Sequence, residues 1–160
     1  MGYTHYLHNK SRKHYWFSDE EWETFNHKAS QLIHKWFNTC EPVVYDKDFT
    51  SEFFFSGPKT DSVNNASFLE ENMNRSEWWN IDTDAESETV FFCKAEESTG
   101  CMANEFQCCK TNYADSTDTL VVALYKLAET VTGGRIKFTS DGNNEDLKTG
   151  LQFLSSVSEY

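Results

Sequence analysis

Residues 105–142 read EFQCCKTNYADSTDTLVVALYKLAETVTGGRIKFTSDG, and this stretch decides the fold. It predicts a strand (EFQCCKT), a helix that Ser116 or Thr117 caps, and a second strand (RIKFT) after Gly133-Gly134. Apolar side chains cover more than half of the helix circumference, so we expect this helix to be largely buried. The order strand–helix–strand is typical of a βαβ unit, whose two strands we expect to be parallel neighbours or nearly so.

The flanking segments extend this unit in both directions. The stretch FSDEEWETFNHKASQLIHKWFN (17–38) predicts a helix, with Ser18 and Glu21 forming a capping box at its start. Strands are predicted at GYTHYL (2–7), SEFFFSG (51–57) and ETVFFCKA (88–95), and a last helix follows the SDG turn. The polar, acidic and Asn/Ser-rich stretch at about 58–88 predicts a long loop.

These elements predict a single α+β domain over residues 1–160. We expect a two-layer sandwich in which three helices pack on a mixed sheet of about five strands, with a C-terminal βαβα unit. The chain is rich in aromatic residues (16%), and large rings can build the core that Leu and Val build elsewhere.

Charge and hydropathy exclude several classes of function. The net charge of −12 disfavours binding to a nucleic-acid backbone, and no apolar run is long enough to span a membrane. The N-terminus lacks the apolar segment of a signal peptide, so a cytoplasmic rather than secreted protein is expected. The five cysteines are therefore predicted to be reduced thiols.

A ligand site is predicted where the two strands of the βαβ unit end. Ligands of open α/β sheets bind beyond the carboxyl ends of parallel strands, beside helix N-termini. Lys110 and Thr111 end one strand, and Ser140 and Asp141 end the other. Tyr113 and Asp115 lie in the loop between the first strand and the buried helix. The alternative is that Asp141-Gly142 is an ordinary turn and that the neighbouring polar residues only cap a helix.

The opening stretch MGYTHYLHN adds a histidine to this site. Strand alternation places Tyr3, His5 and Leu7 on one face, and Tyr6 and His8 on the other. If Leu7 faces the core, His5 is partly buried and needs a polar partner. It is then either an acid–base group paired with Asp141 or a core histidine with a structural partner. Because His5 and His8 point to opposite faces, no metal site is predicted, and no cofactor motif is present.

Three blocks resemble an uncharacterised family of phages, large DNA viruses and some bacteria. They read MGYTHYL (1–7), FQCCKTNYADSTDTLVVAL (106–124) and FTSDGNNEDLKTG (138–150), where family members carry MGYTHYW, F-x-F-C-K-T with a P-Y-D turn, and S-D-G. Leu7 and Leu147 stand where that family has Trp. The resemblance implies a viral or microbial origin, hence a host cytoplasm or a virion, and it implies no reaction. It points to Thr4 and Gly142 and to most of the residues selected above.

Two functions of different classes follow. The first is binding, with or without turnover, of a small polar or anionic ligand, including nucleotide-like ones, at the carboxyl edge of the sheet. The second is a non-catalytic structural or interaction protein, such as a virion component, with Trp78 and Trp79 as exposed anchors for a protein partner. The alternative for these two residues is that they cap the core of the domain. The candidate ligand-binding residues are Tyr3, His5, Tyr6, Lys110, Thr111, Tyr113, Asp115, Ser140 and Asp141.

Overall fold

A computed structural model describes residues 2–9, 15–39, 54–57, 60–63, 73–74, 78–82, 90–94, 106–112 and 116–158. The strands are β1 (Gly2–Asn9), β2 (Phe54–Gly57), β3 (Thr60–Val63), β4 (Trp78–Asp82), β5 (Val90–Cys93), β6 (Phe106–Asn112) and β7 (Ile136–Ser140). The helices are α1 (Asp19–Thr39), α2 (Ser116–Val131) and α3 (Asn144–Ser158). The predicted α+β class with three helices is confirmed.

The strands form two sheets rather than the single mixed sheet expected. One has the order β6-β1-β7 and the other β3-β2-β4-β5, and every neighbouring pair in both is antiparallel. The predicted loop at about 58–88 contains β3 and β4, so that expectation was wrong for these residues. β3 and β4 both pair with β2, and β4 contains Trp78, Trp79 and Ile81, which favour strands within an otherwise polar stretch.

The two strands of the predicted βαβ unit are not neighbours, because β1 lies between them. β1 pairs antiparallel with β6 on one side, with His5 opposite Cys109, and with β7 on the other, with His5 opposite Ser140. β6 and β7 are therefore parallel to each other across β1. Their carboxyl ends and the start of β1 meet at one edge of the sheet, which we call the carboxyl edge.

The core is built largely from aromatic side chains. Phe25 of α1 lies 4.9 Å from Phe92 and 4.8 Å from Phe17, measured between ring centroids. Trp79 is fully buried beside Phe92 and donates its indole N–H to Asn26 at 2.9 Å. The expectation that Trp78 and Trp79 are both exposed anchors therefore fails for Trp79, which packs against α1 instead.

Two local predictions for the helices are confirmed. Ser18 and Glu21 exchange hydrogen bonds of 2.9 and 3.2 Å at the start of α1, which is the predicted capping box. α2 is buried along its length between α1, α3 and the three-stranded sheet. Its close packing with α3 depends on Gly150, where a Cβ atom would lie 2.5 Å from Val122 Cβ.

Glu129 protects the edge strand β7. Its Oε2 accepts the backbone N–H of Phe138 at 3.1 Å, and Lys137 and Lys126 are close to the same carboxylate. Burial alone would raise the pKa of Glu129, but these hydrogen bonds and positive charges outweigh it and hold the pKa below its usual value. The buried carboxylate thus satisfies a backbone donor that an edge strand would otherwise leave unpaired.

This carboxylate predicts a pH-dependent stability. A folded-state pKa below the unfolded value near 4.5 gives a contribution that is present above that value and is lost as pH falls through the folded pKa. We expect Glu129→Gln to lower the free energy of unfolding at neutral pH, and the difference from the wild type to shrink below about pH 4.5. Urea denaturation across pH measures this, with Glu23→Gln on the exposed side of α1 as the control. A difference that stays constant down to pH 3 would contradict it.

Candidate functional site

His5 lies at the centre of a polar cluster in the core. It is 0% exposed, and its ring contacts side chains from β6, β7 and α2. Nε2 lies 2.7 Å from Asp118 Oδ1 and 3.1 Å from Thr111 Oγ1, and Nδ1 lies 2.8 Å from Ser140 Oγ. The prediction that His5 faces the core with Leu7 and needs a polar partner is confirmed.

Asp118 holds this cluster together. Its Oδ2 accepts the Tyr3 hydroxyl at 2.7 Å, and its Oδ1 accepts the Thr111 hydroxyl at 2.7 Å in addition to His5 Nε2. A carboxylate is an acceptor only, so the ring nitrogen facing it must carry the proton. Three donors compensate the burial of this charge, which would otherwise be very costly. We name the five residues Tyr3, His5, Thr111, Asp118 and Ser140 the His5 cluster.

The topology explains why these residues meet. Tyr3 and His5 lie at the start of β1, Thr111 at the end of β6 and Ser140 at the end of β7, so all four reach the carboxyl edge. Asp118 is in the first turn of α2, which begins at the same edge. An acidic residue there also interacts favourably with the helix dipole.

Ser140 connects the buried cluster to the surface turn. Its side chain is partly exposed, and its Oγ accepts the backbone N–H of Gly142 at 3.0 Å. A Cβ atom at Gly142 would overlap the Tyr3 ring, so only glycine permits this close approach of the turn. Asn143 and Asp146 exchange hydrogen bonds of 2.9 and 3.0 Å and cap α3 directly after the turn.

Three of the predicted site residues lie on the other face of the sheet, away from the His5 cluster. Lys110 is opposite Thr4 and is exposed, because neighbouring residues of a strand alternate between faces. Asp141 is exposed and accepts the Tyr6 hydroxyl at 3.2 Å. The proposed acid–base pair of His5 with Asp141 was therefore wrong, since the carboxylate beside His5 is that of Asp118.

Partial burial and Asp141 both contribute to a raised pKa of the Tyr6 hydroxyl. Partial burial raises the pKa of Tyr6, and the hydrogen bond and negative charge of Asp141 raise it further. The contact joins β1 to the turn after β7, as does the hydrogen bond of 3.0 Å from the Asp141 N–H to the Thr4 carbonyl. Tyr113 and Asp115, the remaining predicted residues, lie outside the described ranges.

Sequence reasoning missed Asp118, which accepts hydrogen bonds from Tyr3, His5 and Thr111. Its signal was its place in the first turn of a buried helix that follows directly on the site strand. An acidic residue at that position usually interacts with the helix dipole and solvent, and this reading concealed its second role.

Within the described ranges, no three metal-ligating side chains lie close enough together to hold a metal ion. None of the described helices combines the length and apolarity that a membrane span requires. Protein-family models, curated proteins and solved structures were compared with the chain, and none matches it. The resemblance to the phage and viral family therefore stays a prediction from the three sequence blocks.

The hydrogen bonds to Asp118 predict a stability difference between two tyrosines. We expect Tyr3→Phe to lower the free energy of unfolding by about 1.5–3 kcal/mol, because it removes a donor to a buried carboxylate and keeps the ring. Urea denaturation measures this change. Tyr6→Phe is the matched control, since it removes a hydroxyl bonded to an exposed carboxylate and should change the midpoint little. Equal losses in the free energy of unfolding of the two variants would show that the Tyr3 hydroxyl does not stabilise the buried Asp118 carboxylate.

Proposed function

We propose that the chain binds a small polar ligand at the carboxyl edge, with the Ser140-Asp141-Gly142 turn as the contact surface. The observation that carries this proposal is the buried His5, whose hydrogen-bond partners come from three separate elements. One of these partners, Ser140, is partly exposed, so the network reaches the surface turn. A purely structural core can be filled with apolar side chains at no loss of stability, whereas a buried ionisable pair is costly and is typical of functional sites.

The charges at the edge favour a neutral polar group over an anion. Asp118, Asp141 and Asp146 all lie near the turn, whereas Lys110 points to the opposite face of the sheet. A hydroxyl, carbonyl or amide group of a ligand can exchange hydrogen bonds with Ser140 and the turn without bringing a further negative charge. Sugars and nucleosides have such groups, and an anionic ligand such as a nucleotide would have to reach Lys110.

A thermal-shift screen against nucleosides, nucleotides, sugars and inorganic phosphate tests the proposal. A ligand at 100 times its dissociation constant should stabilise the folded chain by about 2.7 kcal/mol. We expect this shift to be lost in Ser140→Ala and kept in Ser155→Ala, which removes an exposed hydroxyl from α3.

Three results of the screen decide against this proposal. A shift that survives in Ser140→Ala would place the ligand elsewhere, and a shift that Lys110→Ala abolishes would indicate an anion on the opposite face. A screen without any shift would favour the second candidate, an interaction protein. That candidate is supported by Trp78, which is half-buried and stacks on the half-buried Phe91 at 5.6 Å on the surface of the four-stranded sheet.

A further inference from the structure

Ser140, His5 and Asp118 form a continuous chain of hydrogen bonds from a partly exposed residue to the buried carboxylate of Asp118. The two contacts are 2.8 Å from Ser140 Oγ to Nδ1 and 2.7 Å from Nε2 to Asp118 Oδ1. A nucleophile within hydrogen-bond reach of a base that a third group orients is the arrangement of covalent catalysis. We propose that Ser140 is a nucleophile activated by His5, and that the carboxyl edge cleaves a small carboxylic ester. This inference rests on the binding site proposed above.

The direction of each proton follows from the contacts. Asp118 can only accept, so the proton of the ring lies on Nε2, and the lone pair of Nδ1 faces the Ser140 hydroxyl. Ser140 then donates to Nδ1 and accepts the N–H of Gly142. The hydroxyl is thus oriented with its proton toward the base, which general-base activation requires.

Two residues besides His5 hold the Asp118 carboxylate in place. Tyr3 and Thr111 each donate to Asp118 at 2.7 Å, so Asp118 cannot turn away from Nε2 without losing further hydrogen bonds. Both are positioning residues: Tyr3 acts on the base through Asp118, and Thr111 also contacts His5 Nε2 directly at 3.1 Å. The second proton that His5 gains during the reaction would place a positive ring against this negative group, which stabilises the charge.

The reaction balances with these groups and water alone. Ser140 Oγ forms a bond to the ester carbonyl carbon while its proton moves to His5 Nδ1. The bond from that carbon to the alcohol oxygen then breaks, and the alcohol leaves with the proton from Nδ1. Water next attacks the acyl-serine, giving one proton to Nδ1. The carboxylic acid is released, and Ser140 regains its proton from His5.

The backbone of the turn adds one stabilising contact. The Gly142 N–H donates to Ser140 Oγ at 3.0 Å and helps to hold the hydroxyl with its proton directed at His5 Nδ1. The turn therefore acts on the nucleophile as well as on the ligand.

A fluorophosphonate probe tests the activated serine directly. Attack by Ser140 Oγ on phosphorus displaces fluoride and leaves a stable phosphonyl-serine, which intact-mass spectrometry detects as one adduct per chain. Tryptic cleavage after Lys137 and Lys148 releases the peptide FTSDGNNEDLK, and fragmentation of that peptide distinguishes Ser140 from Thr139.

We expect one adduct on Ser140, none in Ser140→Ala, and a rate of labelling in His5→Gln that is lower by at least about 100-fold. Asp118→Asn, checked for folding by circular dichroism, replaces His5→Gln if the latter does not fold. Ser155→Ala is the matched control and should label as the wild type does.

The outcomes separate this inference from the binding site. The proposal that Ser140 is an activated nucleophile is overturned if the folded wild type forms no adduct. It is also overturned if Ser140 is labelled as fast in His5→Gln and Asp118→Asn as in the wild type. If a ligand shift that depends on Ser140 is still observed, the binding site stands and the cluster is a positioning network. If Ser140 is labelled but no compound of the screen gives a thermal shift, the nucleophile is supported and the proposed class of ligand is wrong.

Discussion

His5 and Asp118 meet in the core with 2.7 Å between Nε2 and Oδ1, and each would be costly to bury alone. The contact joins residues that are 113 positions apart, so it connects the first strand to the start of the central helix. Tyr3, Thr111 and Ser140 complete it from three strands. A displacement of β1, β6, β7 or α2 would leave a buried polar group without its partner, and this constraint aligns the whole carboxyl edge.

The same constraint makes the two faces of the three-stranded sheet differ in burial and in residue type. The face toward α2 carries the His5 cluster and then Leu7, Cys109 and Ile136, all buried. The opposite face carries Tyr6, His8 and Lys110, which are half-buried or exposed. Because strand neighbours alternate between faces, residues adjacent in sequence contribute to separate environments, and Tyr3 and Ser140 connect the inner face to the surface turn.

Several of these features could be predicted from the sequence because they depend on local pattern. The capping box of Ser18 and Glu21, the burial of α2 and the inward position of His5 beside Leu7 follow from spacing alone. The insertion of β1 between β6 and β7 could not be predicted, since pairing between distant strands leaves no mark in either strand. Asp118 was missed partly for the same reason, because its partners Tyr3 and His5 are 115 and 113 positions away in the chain. The pairing of Lys110 and Asp141 with His5 failed because the expected sheet did not place β1 between β6 and β7, and this register sets the face of each residue.

The central claim is that the His5 ring carries its proton on Nε2, against Asp118, and offers Nδ1 to Ser140. A long-range ¹H–¹⁵N correlation spectrum of uniformly labelled protein reports the proton position on each histidine ring, and the His5→Gln variant identifies the His5 signals by their loss. The account predicts a ring protonated on Nε2, with Nδ1 an acceptor, and a loss of this preference in Asp118→Asn. A proton on Nδ1 with Nε2 bare would contradict the account, because the ring could then neither donate to Asp118 nor accept from Ser140.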